Sequence, residues 1–426
     1  MVTIISFVVM IGLMFINVPI AICTGLAAIA GILITGTVPL MVSVQRMYVG
    51  MDSFTLIAVP LFILTGRFMA VGGITTDLIN LSKVMVGFLR GGLAYINIVS
   101  SMFFAGITGS ATSDTASVGG ILIPTMIDKK YDKDFSVAVT ATSSTIGVLI
   151  PPSIPMVVYG VASGASIAKL FLGGMLPGIL VGVALMIVTF FIARKRDYPI
   201  DSKIPVNEAF KIVLKSIPAL MTIIIILGGI ISGFFTPTEA AGIAALYSFC
   251  LGAFYYKELK VSDIGDIFIE VAITTGMVAL MIATASTLGW LFASEGIPAM
   301  LASLILNLTT NKILIMLMIN LLLLFVGTWL DLSPAVIIFT PILLPVITAL
   351  GIDPVHFGII MIMNLAIGLF TPPVGVCLFV SCGIAGISIS DSIKAFIPYF
   401  FAMLAILLLI TFVPGIVMLI PNLFGL

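Results

Sequence analysis

Apolar runs of membrane-spanning length follow one another along nearly the whole chain, parted by short polar turns, and so predict a stack of helices in a bilayer. Two of these runs are interrupted in the same way. IGVLIPPSIP, from Ile146 to Pro155, returns in altered form as IGLFTPPVGV, from Ile367 to Val376. Proline lacks a backbone donor and clashes with the carbonyl one turn back. Pro151-Pro152 and Pro372-Pro373 therefore each predict a broken membrane helix. A bilayer tolerates such a break only where the backbone is buried in protein or lines a polar cavity. Matching breaks in two halves of a chain point to the substrate and ion sites of a secondary transporter.

The echo extends past the prolines. Asn17-Val18-Pro19-Ile20-Ala21 matches Phe235-Thr236-Pro237-Thr238-Glu239, and Gly164 to Pro177 matches Gly386 to Pro398. The polar stretch Gly109–Asp114 matches Gly327–Asp331. These pairs keep the same order, so the sequence predicts an all-α membrane protein of two inverted repeats, 1–195 and 216–426. Arg194-Lys195-Arg196 closes an apolar run and assigns that end to the cytoplasm. The linker that follows, 196–215, is expected as a surface-lying helix or a solvated loop, since VNEAFKIVLKSIPAL alternates apolar and charged positions at helical spacing. In FTPTEAAG, Thr236 suits an N-cap, Pro237 the first helical position and Glu239 the third, which makes Glu239 a structural cap.

From Gly91 to Ile127 the only acidic or basic side chain is Asp114, and TGSATSDTASVGG is too polar for lipid. Its flanks read as too short for full spans, so a re-entrant hairpin with its tip near Gly109 to Thr115 is expected. A second hairpin is expected with its tip near Gly327 to Pro334, in a region without Lys or Arg from Ile313 to Ile393. The hairpins and breaks (about 91–165 and 313–390) are expected to form a transport domain, and the rest a scaffold. At the breaks, the prolines should free the carbonyls of Gly147, Val148, Gly368 and Leu369. With the hydroxyls of Thr145 and Thr371 these are hard oxygen ligands for an alkali cation. The half-helices restarting at Ser153 and at Val374-Gly375 offer N–H groups to an anion.

Composition sharpens this picture. The 426 residues are 61% hydrophobic and 8% charged, which fits only an integral membrane protein. Zero net charge and the lack of a long basic run exclude a nucleic-acid partner. The opening MVTIISFVVMIGLMFINVP lacks a basic flank and a cleavage site and is expected as a retained first helix. Cys23, Cys250, Cys377 and Cys382 lie in apolar runs without metal-ligand spacing and are expected as buried free thiols. Asp114 and Asp331 are intramembrane acids, and a charge at that depth costs on the order of 3 kcal/mol, so a functional role is the default reading. Asn364 is expected to face the same cavity, and His356 to be a satisfied interfacial residue.

LIPPSIPMVVYG, SIAKLFLGGMLPG, FFTPTEAAG, GIDPVHFGI and IGLFTPPVG, in this order, resemble the large membrane subunit of the tripartite ATP-independent periplasmic (TRAP) transporters from about Val18 to Pro421. The resemblance implies a sodium-driven importer of the elevator type in the bacterial inner membrane. It implies two partners, a small membrane subunit, here expected as a separate chain, and a periplasmic binding protein that delivers an organic anion. Carried over to this chain, the sodium ligands fall at Gly109, Thr145, Gly147, Gly327, Thr328, Gly368, Thr371 and Gly375, in and beside the tips and breaks. The substrate contacts fall at Ser110, Ser153, Asp331 and Asn364. Sialic acids and C4-dicarboxylates are the substrate classes implied, and Asp331 tilts the choice towards a sialic-acid-like monocarboxylate by repelling a second carboxylate. Two rivals are a stand-alone carboxylate carrier that needs no binding protein and an intramembrane aspartyl protease with Asp114 and Asp331 as its dyad.

Overall fold

The computed structural model describes residues 2–16, 18–36, 38–200, 203–297, 300, 303, 309 and 311–425. Asn17 and linker residues 201 and 202 thus lie outside the described residues. Among the described residues the chain is helical, with one isolated bridge between Arg90 and Ile200, and seven helices are long and apolar enough to cross a membrane.

The helices fall into two groups, which also pack on each other. The first holds α1 (Val2–Phe15), α2 (Ile20–Thr35), α3 (Met41–Met51), α4 (Ala58–Val71) and α5 (Ile74–Val86) from the first half. From the second half it takes α11 (Val206–Ile231), α12 (Pro237–Cys250) and α13 (Val261–Ser294). Here α2 lies on α1 and α13, α4 on α12, and α11 on α5 and α12. The Thr24 and Thr284 hydroxyls join α2 to α13 at 2.7 Å. Thr236 and Glu239 form the expected capping box at the start of α12.

The second group holds α6 (Gly92–Thr108), α7 (Ala111–Asp128), α8 (Lys133–Ser143), α9 (Ile154–Ser163) and α10 (Ile167–Lys195). Its other members are α14 (Lys312–Trp329), α15 (Leu332–Ala349), α16 (Pro354–Gly368), α17 (Val376–Ala385), α18 (Ile389–Phe412) and α19 (Pro414–Leu423). Helices α10, α18 and α19 pack on this bundle. Both hairpins are present, α6–α7 and α14–α15, with arms of 17 and 18 residues and of 18 and 18. These arms are longer than expected because each helix runs to within two residues of its partner. Asp114 therefore sits in the first turn of α7 and not in the tip.

The segment from Val206 opens the 26-residue α11, which runs on through Pro218 as a span, so the second half of the linker is neither a solvated loop nor a separate surface helix. Arg196 donates to Asp132 at 2.8 Å and to both oxygens of Asp134 at 2.8 and 2.9 Å, fastening the end of α10 to the start of α8. Tyr198 adds a 2.7 Å bond to Asp132 and stacks on Tyr131. The Tyr198 hydroxyl first, and Arg196 after it, hold the Asp132 carboxyl below the usual carboxylate range. Arg90 pairs with Asp197 beside them. Basic residues thus gather at this end of the molecule.

Candidate functional site

Both breaks occur where the Pro-Pro pairs stand. After α8 the chain makes a 3₁₀ turn, Ser144–Val148, passes the cis Pro151-Pro152 bond and restarts as α9. After α16 it passes the cis Pro372-Pro373 bond and restarts as α17 behind Gly375, whose φ of +47° suits glycine. The freed carbonyls are a different matter. The Ser153 hydroxyl donates to Val148 O at 2.7 Å, Thr371 N to Gly368 O at 3.1 Å, and Cys377 N to Leu369 O at 2.8 Å. Three of the four expected carbonyls are thus recaptured, because the chain turns back on itself beyond each proline. Each keeps a second lone pair for a cation.

The hairpin tips dock on the breaks through main chain. Ile154 N donates to Gly109 O at 3.3 Å in the first half, and Val374 N to Thr328 O at 3.2 Å in the second. Glycine makes the approach possible. A Cβ on Gly109 would stand 2.6 Å from Pro152 O, and one on Gly368 only 2.2 Å from Gly327 O. Gly147 faces Ser110 O, and Gly327 faces Leu365 and Gly368. Gly109, Ser110, Gly147, Pro152 and Ser153 therefore meet at one tip, and Gly327, Thr328 and Gly368 at the other. The Thr145 and Thr371 hydroxyls donate to Thr142 O (2.7 Å) and Ile367 O (2.6 Å), which leaves their oxygen lone pairs available.

A cavity of about 450 Å³ lies between the tips. Gly109, Ser110 and Thr112 line it from one hairpin, Asp331 and Ser333 from the other, and Val148 and Leu369 from the breaks. Its far wall is the start of α2 and the middle of α13. Among the described residues, Asp331 is the only charged one in this lining, and it is exposed there. Ser110 caps α7 through Ser113 N at 3.4 Å while facing the cavity. Ser153 is fully buried and occupied as the cap of α9, accepting from Met156 N at 3.4 Å. Asp114 is wholly buried outside the lining, with Ser101 and Ser144 among its polar neighbours. Asp331 thus lines the cavity and Asp114 does not.

Asn364 is buried and is not among the residues that line the cavity. Its Nδ2 donates to Asn320 Oδ1 at 3.0 Å and to Ile360 O at 2.8 Å, while Asn320 donates to Thr411 at 3.0 Å. The first half has a counterpart, Asn97 Nδ2 to Thr140 at 2.6 Å and Ser143 to Asn97 Oδ1 at 3.1 Å. In each half, an asparagine on the first hairpin arm is bonded to the helix that will break. Asn97 and Asn320 went unnoticed in the sequence, although each is a lone amide in an apolar run. His356 Nε2 lies 2.8 Å from Ile410 O, the satisfied state expected of it. All four cysteines are free, with Cys250 only partly buried. Among the described residues, no group of three or more His, Cys, Asp or Glu side chains could hold a metal ion.

From residue 7 to residue 416 the sequence matches the family described as "Tripartite ATP-independent periplasmic transporter, DctM component". The chain belongs to that family. Among its relatives is a sialic acid TRAP transporter large permease protein, SiaM, of Vibrio cholerae, 40% identical over 97% of both chains. An isethionate TRAP transporter permease protein, DctMQ, of Oleidesulfovibrio alaskensis is 45% identical over 95% of this chain and 64% of that one. The C4-dicarboxylate large permease DctM of Rhodobacter capsulatus is 35% identical over 99% of both. The YdaH transporter of Alcanivorax borkumensis shares the fold, with a TM-score of 0.61, 14% identity and coverage of 90% of this chain and 89% of that one. This DctM-family chain is thus a multi-pass transporter permease, not an enzyme. Membership in a tripartite family implies a small membrane subunit and a periplasmic binding protein as its partners.

Proposed function

We propose that the chain imports an organic anion, coupled to sodium and delivered by a periplasmic binding protein, as the inner-membrane permease of a TRAP system. The observation that carries this reading is the charge of the cavity. The N-termini of α2, α7, α9 and α15 and main-chain oxygens frame it, yet among the described residues its lining holds one carboxylate and no cationic side chain. Helix dipoles offset only part of an anion's charge. Bound cations must supply the rest, so substrate and sodium each favour binding of the other. Sodium would sit at the two tip-to-break junctions, held by threonine hydroxyls and glycine carbonyls. The two hairpins and broken helices, read as inverted repeats, would move together against α2, α4 and α13 in an elevator cycle, while the first helical group faces the small subunit.

Asp331 favours a monoanion that also carries hydrogen-bond donors, because it repels a second negative charge and accepts only from donors. A hydroxylated acid of the sialic type fits that chemistry better than a C4-dicarboxylate. The test is uptake in liposomes holding the chain with a small membrane subunit, offered substrate bound to candidate binding proteins. Uptake should need both an inward sodium gradient and the binding protein. Equal uptake of free substrate, or uptake unchanged when potassium replaces sodium, would overturn the proposal.

A further inference from the structure

A second cavity, of about 210 Å³, lies at the basic end of the molecule, where α5 ends and α11 begins. Lys83, Gly87 and Phe88 line one side, and Lys203, Ile204 and Val206 the other. Lys83 stands in the last turn of α5, and Lys203 Nζ lies 5.2 Å from the centre of the Phe88 ring. Among the described residues neither lysine has a carboxylate partner. The other charges nearby are mostly committed elsewhere. Asp77 is held by Lys215 at 3.1 Å, and Arg90 by Asp197. Glu208 stands in the first turn of α11. Met85, Leu89, Val206 and Phe210 are exposed around the same spot. Apolar and aromatic side chains exposed beside lysines that have no carboxylate partner among the described residues mark the level at which acyl chains give way to headgroups.

We propose that this cavity holds the headgroup of an anionic phospholipid of the cytoplasmic leaflet, its phosphate between the Lys83 and Lys203 ammonium groups and its acyl chains along Phe88 and Val206. The charge match is direct, because the cytoplasmic leaflet is negative and attracts basic groups close to its surface. The cavity also touches Gly87, the first residue of the connection from α5 to α6. A bound headgroup therefore braces the joint at which the first helical group passes into the hairpin bundle. This inference rests on the placement of the chain in a membrane and on its basic end, and not on the nature of the transported anion.

Native mass spectrometry of the full chain in detergent, titrated with phosphatidylglycerol or phosphatidylcholine, tests it. Phosphatidylglycerol should be retained in preference, and the double variant Lys83→Gln/Lys203→Gln should weaken its retention at least tenfold, at roughly fivefold per lysine. Lys83→Arg/Lys203→Arg should retain it. Lys129→Gln/Lys130→Gln, which neutralises two basic residues outside the cavity, should also leave it unchanged. Equal retention of both lipids, or insensitivity to the Gln pair, would overturn the proposal. So would displacement by inorganic phosphate at matched concentration, which would show a plain anion site. Exclusion of the lipid by a bound small subunit would show a protein interface and overturn it as well.

Discussion

Gly368→Ala tests the docking of the second hairpin with the smallest possible change. The added methyl would lie 2.2 Å from Gly327 O, 2.3 Å from its carbonyl carbon and 2.6 Å from its Cα. All three are backbone atoms, so no side-chain rotation can relieve the clash. Reaching ordinary contact requires the tip and the break to part by about 1 Å. Overpacking of this kind costs about 1–3 kcal/mol. Parting them also stretches the bond from Val374 N to Thr328 O, now 3.2 Å, beyond hydrogen-bonding range. If the tip helps to hold substrate and ion, a displacement of about 1 Å lowers uptake on the order of a hundredfold, as misplacement of that size does at other preorganised sites. The assay is initial uptake in liposomes, with insertion and the melting temperature measured alongside. Gly383→Ala is the control, since nothing lies within 4 Å of a Cβ there. Wild-type uptake by Gly368→Ala would show that the close approach of tip and break does not matter for transport.

Asp331→Asn keeps size but removes the one charge in the cavity lining; uptake should be abolished or strongly reduced while the chain still inserts and binds its small subunit, as pull-down and transport together would show. Thr145→Val and Thr371→Val each delete a hydroxyl at nearly constant volume, so the sodium concentration for half-maximal uptake should rise in both, and an unchanged value would remove them from the ion sites. Arg196→Gln should lower the melting temperature at neutral pH. Because the Asp132 carboxyl is held low in the folded protein, the stability it adds is present above the ordinary carboxylate pKa and fades as the pH falls through the folded value. The gap between variant and wild type should therefore close in acid, and a gap constant with pH would refute the pairing.

The features legible in the sequence were those that local chemistry dictates. A Pro-Pro pair breaks a helix wherever it stands, a Thr-Pro-x-Glu string caps one, and polar tips in apolar runs mark hairpins. What could not be read was how the chain refills the acceptors it exposes. Val148 O is taken by a hydroxyl five residues on, and Leu369 O by an amide eight residues on, both set by the path of the turn. Asn364 was ambiguous for a related reason. Its polarity signals a polar neighbour, but a single sequence does not say whether that neighbour is solvent or Asn320, forty-four residues earlier. The packing of α10, α18 and α19 on the hairpin bundle was hidden too, since a long apolar helix looks alike against lipid and against protein.

The two ties between tip and break run from an amide to a carbonyl, so no side-chain atom takes part in either. Alanine at Ile154, Val374 or Thr328 would leave the bonded atoms in place, whereas alanine at Gly109 or Gly368 would act through crowding of the backbone. A change to the peptide group reports on the ties directly, such as an amide-to-ester replacement that deletes the N–H of Ile154 or of Val374. Side chains beside the ties, the glycines excepted, can therefore be exchanged while the latch itself stays intact.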